Sequence, residues 1–254
     1  MLLQDMYVSL ASPNSSQNVL VVSPHPDDDV IGMGGKMALM AQKSGVFTLY
    51  VTDGSGSLRQ DSRESIPLKR KEEALEALAI VKAHGAFFLN AKSSCLKNKG
   101  QEYGKFLASI KQIFEFLKPQ EVYITGPWEI HPTHLASSQL ILDALKDQEN
   151  ISIYGYPVWG PILGKNLHCV DITEVIEIKN KAIQAHQGEV LYKPYHEGVV
   201  ARNFYQAIYE NPHSISQAKY IEIFLDMNDI KTNLKEYACQ KSMSYINEIF
   251  STFS

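Results

Sequence analysis

The sequence predicts an α/β fold in which helices cover both faces of a mostly parallel β-sheet. The chain has 254 residues, of which 44% are hydrophobic and 20% are charged, so it is long enough to bury one large core. Short apolar runs alternate with amphipathic stretches, and no repeat or long Pro/Gly-rich linker separates two units. We therefore expect a single domain over residues 1–254, with a core at about 18–210 and a helical extension at 211–254.

The strands and helices are predicted from the spacing of apolar residues. Val19–Ser23 is short, apolar and rich in valine, which is typical of a central strand in a parallel sheet. The other predicted strands are Val46–Thr52, Ala86–Asn90, Glu121–Thr125 and Ile151–Tyr156. The predicted helices run over about Gly32–Lys43, Leu68–Ala83, Tyr103–Leu117 and His131–Lys146.

This alternation indicates βαβ units, and hence a three-layer, Rossmann-like arrangement. Right-handed crossovers place the carboxyl end of every parallel strand at one edge of the sheet, where ligands bind in open α/β folds. After Thr173 the chain is predicted to be mainly helical, ending in a long stretch over Asp229–Phe250. That stretch is suited either to closing the domain or to joining subunits in a homo-oligomer.

The composition excludes several classes of partner and location. A net charge of −4 without a basic stripe argues against a nucleic-acid partner. The chain contains no run of eighteen apolar residues, so no membrane span is expected, and residues 1–17 lack a basic leader. The three cysteines are odd in number and widely spaced, which favours free thiols in a reducing compartment. We therefore expect a cytoplasmic protein.

The most informative feature is a cluster of metal-ligand side chains at two strand ends. His25–Asp29 follows the first predicted strand, and the pair His131 and His134 follows the fourth. Because these strand ends share an edge, the side chains are expected to meet, and buried charges there need a partner or a metal. His25 and Asp28 with a distant histidine form the usual ligand pattern of a catalytic zinc centre. The same ligands also accept Fe²⁺ or another divalent metal.

A simpler interpretation of His25–Asp29 is an acidic helix start, in which one aspartate caps the helix. That interpretation would suffice for a single aspartate. We favour the metal because a histidine and three carboxylates follow a buried strand and a histidine pair is placed to join them.

These segments resemble the motifs of the LmbE-like (PIG-L) zinc-dependent deacetylases. Ser23–Asp29 followed by Gly32–Gly35 resembles the first motif of that family, and His131–Ala136 resembles the second. Weaker matches are Arg70–Ala74 and the segments Val170–Thr173, Lys181-Ala182 and Ala185–Gln187. The resemblance extends from Val19 to about Tyr209.

The resemblance implies a hydrolase that removes the acetyl group from an N-acetylglucosamine-type amino sugar conjugate, a small-molecule substrate. By motif position, His25, Asp28 and His134 would hold Zn²⁺, and Asp27 would be the base that activates the zinc-bound water. His131 would stabilise the oxyanion or act as an acid. Arg70 would hold the substrate or anchor the active-site acids. Tyr192, Tyr195 and His196 fall in a loop where relatives place a group near the oxyanion, and of these Tyr195 is expected to contact the substrate.

Two departures from the family motifs affect this interpretation. Asp29 stands where the family usually has glutamate, which shortens the reach of that carboxylate by one methylene. Thr133 stands where the family usually has aspartate, which removes a carboxylate near His131 and lowers its tendency to be protonated. Glu129 is a candidate to replace that carboxylate.

Some alternatives remain open from the sequence. Arg70 is either a site residue or a helix-surface charge paired with Glu73 or Glu76. Trp128 and Trp159 are suited either to stacking on a sugar ring or to core packing. The protein as a whole is an N-deacetylase, a metal hydrolase of another amide or carbamoyl bond, or a catalytically silent sugar-binding homologue.

Overall fold

The computed structural model describes residues 3–12, 17–97, 99–146, 148, 150–162, 166–211 and 217–228. Its strands are β1 (Tyr7–Ser9), β2 (Asn18–Ser23), β3 (Gly45–Thr52), β4 (Gly85–Ala91), β5 (Glu121–Thr125), β6 (Ser152–Tyr156), β7 (Leu167–Asp171) and β8 (Ile221–Asp226). Its helices are α1 (Leu3–Met6), α2 (Asp28–Met40), α3 (Ile66–Ile80), α4 (Ser93–Lys97), α5 (Gln101–Leu117), α6 (Pro132–Leu145), α7 (Ile176–Ala185), α8 (Gln187–Tyr192) and α9 (Tyr195–Tyr209). A 3₁₀ turn, Thr173–Val175, precedes α7.

The eight strands form one sheet in the order β1-β4-β3-β2-β5-β6-β8-β7. The five strands from β4 to β6 are parallel, and they are the five strands predicted from the sequence. Three antiparallel strands, β1, β8 and β7, extend the two edges. The predicted α/β fold with a mostly parallel sheet is confirmed.

Two apolar clusters pack against opposite faces of this sheet and form the core. One face is covered by α5 and α6, with Ile110, Ile113 and Leu140 fully buried. The other face is covered by α2, α3 and α7. Burying apolar surface on both faces explains why β2 and β3 are almost continuously apolar rather than alternating.

The structure differs from the sequence-based prediction in three places. Helix α2 begins at Asp28 rather than at Gly32, so two of the motif carboxylates lie in its first turn. The short strands β1 and β7 were not predicted. Strand β8 interrupts the region expected to be mainly helical, because an apolar run such as Ile221–Leu225 does not by itself distinguish helix from strand. The predicted helix Asp229–Phe250 lies outside the described residues.

Close packing requires glycine in α2. A Cβ atom on Gly32 would lie 2.3 Å from Cδ2 of Tyr156, and one on Gly35 would lie 2.7 Å from Cγ2 of Ile172. Both positions therefore have no room for a larger side chain unless their neighbours move. In the described part of the chain, no helix is long and apolar enough to cross a lipid bilayer.

Candidate metal centre

The two motif segments meet at the point where the strand order reverses. From β2 the chain continues through β3 to β4 on one side, whereas β5 and β6 lie on the other. His25–Asp29 follows β2, and Glu129–His134 follows β5, its parallel neighbour. Such a switch point leaves a crevice at the carboxyl ends of the strands, which is where ligands bind in open α/β sheets.

Three side chains place their ligand atoms around one point. His25 Nδ1 lies 3.0 Å from Asp28 Oδ2, His134 Nε2 lies 3.1 Å from the same oxygen, and the two nitrogens are 3.3 Å apart. Ligand atoms bound at zinc distances in tetrahedral geometry are about 3.3 Å from one another. The side chains therefore fit a divalent metal ion.

The charges of the site also fit a cation. Burial alone would raise the pKa of Asp28, but His134 and His25 hold it well below its usual range. Burial alone would lower the pKa of His134, but Asp28 and Glu129 raise it to about 10. Two buried carboxylates thus flank His134 and favour positive charge between them, which a metal ion supplies.

The turn after β2 holds Asp28 in its position. The backbone N–H of His25 donates to Asp28 Oδ2 over 2.8 Å, and the N–H of Asp27 donates to the carbonyl of His25 over 2.9 Å. The carboxylate of Asp28 is therefore folded back onto the residue that begins the motif. This local closure brings two ligands from one short segment to the same side.

His131 lies beside the three ligands but differs from them in its contacts. Its ring is 5.0 Å from that of His25 and 4.9 Å from that of His134, and the three histidines have ligand atoms within 4.8 Å of one another. The backbone N–H of Thr133 donates to His131 Nδ1 over 3.3 Å. Because Nδ1 accepts this hydrogen bond, the neutral ring carries its proton on Nε2. The group that includes Asp28 is the tighter of the two, with ligand atoms 3.0–3.3 Å apart.

Asp27 is held by a buried arginine. Arg70, on α3, places Nη2 2.7 Å from Asp27 Oδ1, and its side chain is only 5% exposed. Burial raises the pKa of Asp27, and the charge of Arg70 offsets part of the rise. Arg70 is therefore not a surface charge paired with Glu73. Glu73 instead binds Arg59, which donates to both of its carboxylate oxygens over 2.6 and 2.8 Å.

A cavity of about 730 Å³ opens over this centre. His25, Asp27, Asp28, His131 and Arg70 line it. The rest of the wall includes charged groups such as Lys92, Glu189 and Lys193, and aromatic and hydroxyl side chains: Trp159, Tyr192, Tyr195, Ser55, Ser57 and Ser93. Aromatic faces beside hydroxyl groups are suited to a sugar ring, which has apolar faces and polar edges.

Comparison with known proteins identifies the family. Residues 20–145 match the family model described as PIG-L: GlcNAc-PI de-N-acetylase. A probable N-acetyl-alpha-D-glucosaminyl L-malate deacetylase 2 from Bacillus subtilis (strain 168) is 30% identical over 186 residues, which cover 67% of this chain and 82% of the relative. The chain belongs to the PIG-L family.

Two solved structures share the fold of this PIG-L protein. The N,N'-diacetylchitobiose deacetylase of Pyrococcus horikoshii has a TM-score of 0.68 and 22% identity, over 84% of this chain and 85% of the other. The 4-carboxy-2-hydroxymuconate hydratase GalB of Pseudomonas putida KT2440 has a TM-score of 0.65 and 20% identity, over 82% and 95%. At these identities the likeness shows the fold, and the reaction must be argued from the site.

The seven residues singled out from the sequence all lie at this site of the PIG-L fold. His25, Asp28 and His134 form the ligand triangle, and the other four line the cavity: Asp27, Arg70, His131 and Tyr195. The ring of Tyr195 packs edge-on against Trp159 with centroids 5.6 Å apart. Burial and the neighbouring Asp27 raise the pKa of Tyr195 to about 12, so its hydroxyl is protonated at neutral pH.

The structure shows the contacts of the two residues that depart from the PIG-L motifs. Asp29 is fully buried and accepts a hydrogen bond of 2.8 Å from the hydroxyl of Tyr50, and burial raises its pKa to about 7. Its described contacts are to Tyr50 and Ser23, beside the ligand triangle rather than within it. Thr133 contributes its backbone N–H to His131.

Two glutamates have partners that were not predicted from the sequence. Glu129 was a candidate for a carboxylate near His131, but it lies 2.9 Å from Nδ1 of His134. Glu189 was not singled out, although it lines the cavity 3.6 Å from Nη1 of Arg70 and accepts a hydrogen bond of 2.6 Å from Ser57. The one signal for Glu189 was its place just after the weak motif at Ala185–Gln187.

Of the two tryptophans, only Trp159 lines the cavity, and it is 46% exposed. Trp128 packs on Gly126, where a Cβ atom would lie 2.1 Å from Cζ2 of the indole ring. The structure thus assigns core packing to Trp128 and leaves Trp159 available to a ligand.

Proposed function

We propose that this protein is a zinc-dependent hydrolase that removes the N-acetyl group from an N-acetylglucosamine-type amino sugar conjugate. The ligand triangle of His25, Asp28 and His134, with Asp27 next to it in an open cavity, carries this proposal. Membership of the PIG-L family and the similarity to a sugar-conjugate deacetylase support the choice of reaction.

The metal would be held by His25, Asp28 and His134. When bound, zinc polarises an amide carbonyl and lowers the pKa of a coordinated water molecule to about 7. Two imidazoles and one carboxylate favour zinc, although Fe²⁺ or Co²⁺ also bind such ligands.

Asp27 would be the general base. Its carboxylate has one oxygen engaged by Arg70, so the other is left for the attacking water. The pKa of Asp27 is raised and so lies closer to neutral pH. A base accepts and returns a proton most effectively when its pKa is near the pH at which the enzyme works. Asp27 would then deliver that proton to the leaving amine.

His131 would stabilise the oxyanion that develops on the acetyl carbonyl. Because Thr133 donates to Nδ1, the proton of the neutral ring lies on Nε2, which makes Nε2 a hydrogen-bond donor. A fixed donor near a developing oxyanion lowers the barrier of acyl transfer. The role does not require the imidazole to be charged, which accommodates the absence of a carboxylate at residue 133.

The sugar would bind between the aromatic and hydroxyl groups of the cavity. Trp159 and Tyr195 would contact the pyranose ring, and Arg70 would anchor Asp27 rather than the sugar itself.

The free thiols of Cys95 and Cys169 support a cytoplasmic location.

Replacing Asp27 tests the mechanism. Asp27→Ala and Asp27→Asn should lower kcat by about 10²–10⁴-fold, because the general base is lost. Both variants should still bind one zinc ion per chain, measured by mass spectrometry of the metal after desalting. Asp143→Asn is the matched control, since Asp143 pairs with Lys99 and Tyr103 away from the cavity. Full activity of Asp27→Ala would exclude this mechanism.

A substrate panel tests the bond that is cleaved. The panel contains N-acetylglucosamine conjugates with different aglycones, the N-carbamoyl analogues and simple acetamides. We expect turnover of the acetylated sugars to exceed that of the other compounds by at least tenfold. Preference for a carbamoyl or simple amide would reassign the reaction, and sugar binding without any turnover in zinc-loaded protein would indicate a silent homologue.

A further inference from the structure

Glu129 is a buried carboxylate that contacts the proposed metal centre from behind. It lies in the loop between β5 and α6, and its side chain is fully enclosed. Its Oε2 is 2.9 Å from Nδ1 of His134, on the side of the imidazole opposite to Nε2, which faces Asp28 and His25.

The same carboxylate binds the loop that follows β6. The backbone N–H of Val158 donates to Oε1 over 2.7 Å, that of Trp159 donates to both oxygens over 3.2 Å, and that of Gly160 donates to Oε1 over 3.4 Å. Three backbone groups that can only donate therefore surround the carboxylate. Such a cradle suits an acceptor with two oxygens and no proton of its own.

These contacts determine the tautomer of His134. Because the carboxylate acts as an acceptor, the ring nitrogen facing it must donate, so Nδ1 carries a proton. In the neutral ring that a metal ion requires, the lone pair is therefore on Nε2. Nε2 is the atom in the ligand triangle. A metal-binding histidine needs this arrangement, and a carboxylate on its second nitrogen also makes it a stronger ligand.

We propose that Glu129 is a positioning residue that holds His134 in its metal-binding tautomer and fixes the loop carrying Trp159. A single carboxylate would thus join the metal ligand to the wall of the cavity that faces the substrate. This inference rests on the proposed metal site. The role of Glu129 follows neither from the motif match nor from the place of Glu129 in the sequence.

The substitution Glu129→Gln tests the inference with little change in shape. An amide has one acceptor and one donor, so it cannot accept from His134 and from all three backbone groups together. If the amide nitrogen faces His134, Nδ1 must accept and the proton moves to Nε2, which removes the metal lone pair. Zinc affinity, measured by competition with a chromogenic chelator, should fall by about 10- to 100-fold.

Glu222→Gln is a matched control. Glu222 is also a buried carboxylate that accepts from two backbone N–H groups, those of Gly35 and Lys36, and it binds Lys179 rather than a histidine. This variant should lose stability but keep its zinc affinity within about twofold. An equal loss of affinity in both variants would mean that Glu129 acts only through general stability, and would overturn the proposal.

If Glu129→Gln does not fold, a measurement on the unsubstituted protein tests the inference instead. Long-range ¹H–¹⁵N NMR spectra distinguish the two tautomers of a histidine ring. We expect His134 in zinc-loaded protein to be protonated at Nδ1, and protonation at Nε2 would overturn the inference. If the unsubstituted protein bound no zinc, the proposed function would fail instead, so the two failures are distinct.

Discussion

At the scale of single residues, two buried arginines near the cavity pair with different carboxylates. Arg59 binds Glu73 and Asp61, whereas Arg70 binds Asp27 and lies near Glu189. Burying one charge is costly unless an opposite charge accompanies it, and each arginine here has such a partner. The ion pair with Arg70 thus keeps the carboxylate of Asp27 in place.

His186 lies behind these arginines and is buried without a hydrogen-bond partner for either ring nitrogen among the described residues. Burial, with a contribution from Arg70, lowers its pKa to about 3. An unfolded chain takes up the histidine proton near pH 6.5. Between these two values the unfolded state binds the additional proton, so acidification favours unfolding.

We therefore predict that His186→Leu reduces the acid sensitivity of the protein. Between pH 7.5 and pH 5, His186 should remove roughly 2 kcal/mol of stability from the unsubstituted protein, and the variant should lack this loss. Urea unfolding of both proteins at pH 7.5, 6.5 and 5 measures the difference. Parallel stability curves would show that folded His186 takes up a proton as readily as an unfolded one.

At the scale of elements, the short helix α8 is joined to the cavity wall by close contact. The backbone N–H of Gly188 donates to Glu73 Oε1 over 3.1 Å. A Cβ atom at residue 188 would lie 1.8 Å from Cζ of Arg59. Arg59 cannot move aside easily, because Glu73 holds its guanidinium at two points. The next residue is Glu189, so the packing of α8 determines the position of a carboxylate near Arg70.

Gly188→Ala should therefore destabilise the protein by about 1–3 kcal/mol, as overpacking does elsewhere. Activity should fall as well, because Glu189 and Tyr192 on α8 line the cavity. Gly104→Ala in α5 is the control, since no atom lies within 4 Å of a Cβ there. The control should be neutral or more stable by about 0.5–1 kcal/mol, because alanine favours helix more than glycine does. Equal urea midpoints for the two variants would contradict the packing argument.

At the scale of the whole molecule, the proposed metal would join two halves of the sheet. Two ligands follow β2 and the third lies on α6, which follows β5, so the ligands come from both sides of the switch point. An ion that binds the folded state alone stabilises it by mass action. The metal would thus contribute to stability as well as to catalysis.

Zinc at a hundredfold excess over its Kd should stabilise the protein by about 2.7 kcal/mol. For a chain of this size the melting temperature should rise by about 5–10 °C, and EDTA should reverse the change. Differential scanning fluorimetry measures both. His25→Ala is the control, because it removes the most exposed of the three ligands and should abolish the shift. A shift that persists in His25→Ala would place the ion elsewhere.

The sequence by itself determined the features that depend on neighbours along the chain. The apolar run Asn18–Ser23 ends directly at His25–Asp29, and the strand order of βαβ units brings that segment to the edge where β5 also ends. Local pattern and the right-handed crossover rule suffice for these conclusions. The parallel core of the sheet and the meeting of the two histidine segments could therefore be predicted, whereas Arg70 and Tyr195 were placed at the site by the family resemblance.

Only the tertiary structure decided which buried charges pair. From the sequence, Glu73 was one of two alternative partners for Arg70, and Glu129 was a candidate partner for His131. In the structure, Glu73 pairs with Arg59 and Glu129 pairs with His134. The antiparallel strand β8 also required the completed sheet, because its partners, β6 and β7, are distant in the chain. The partner of a buried polar group depends on which elements pack against it, and that is set by contacts far apart in sequence.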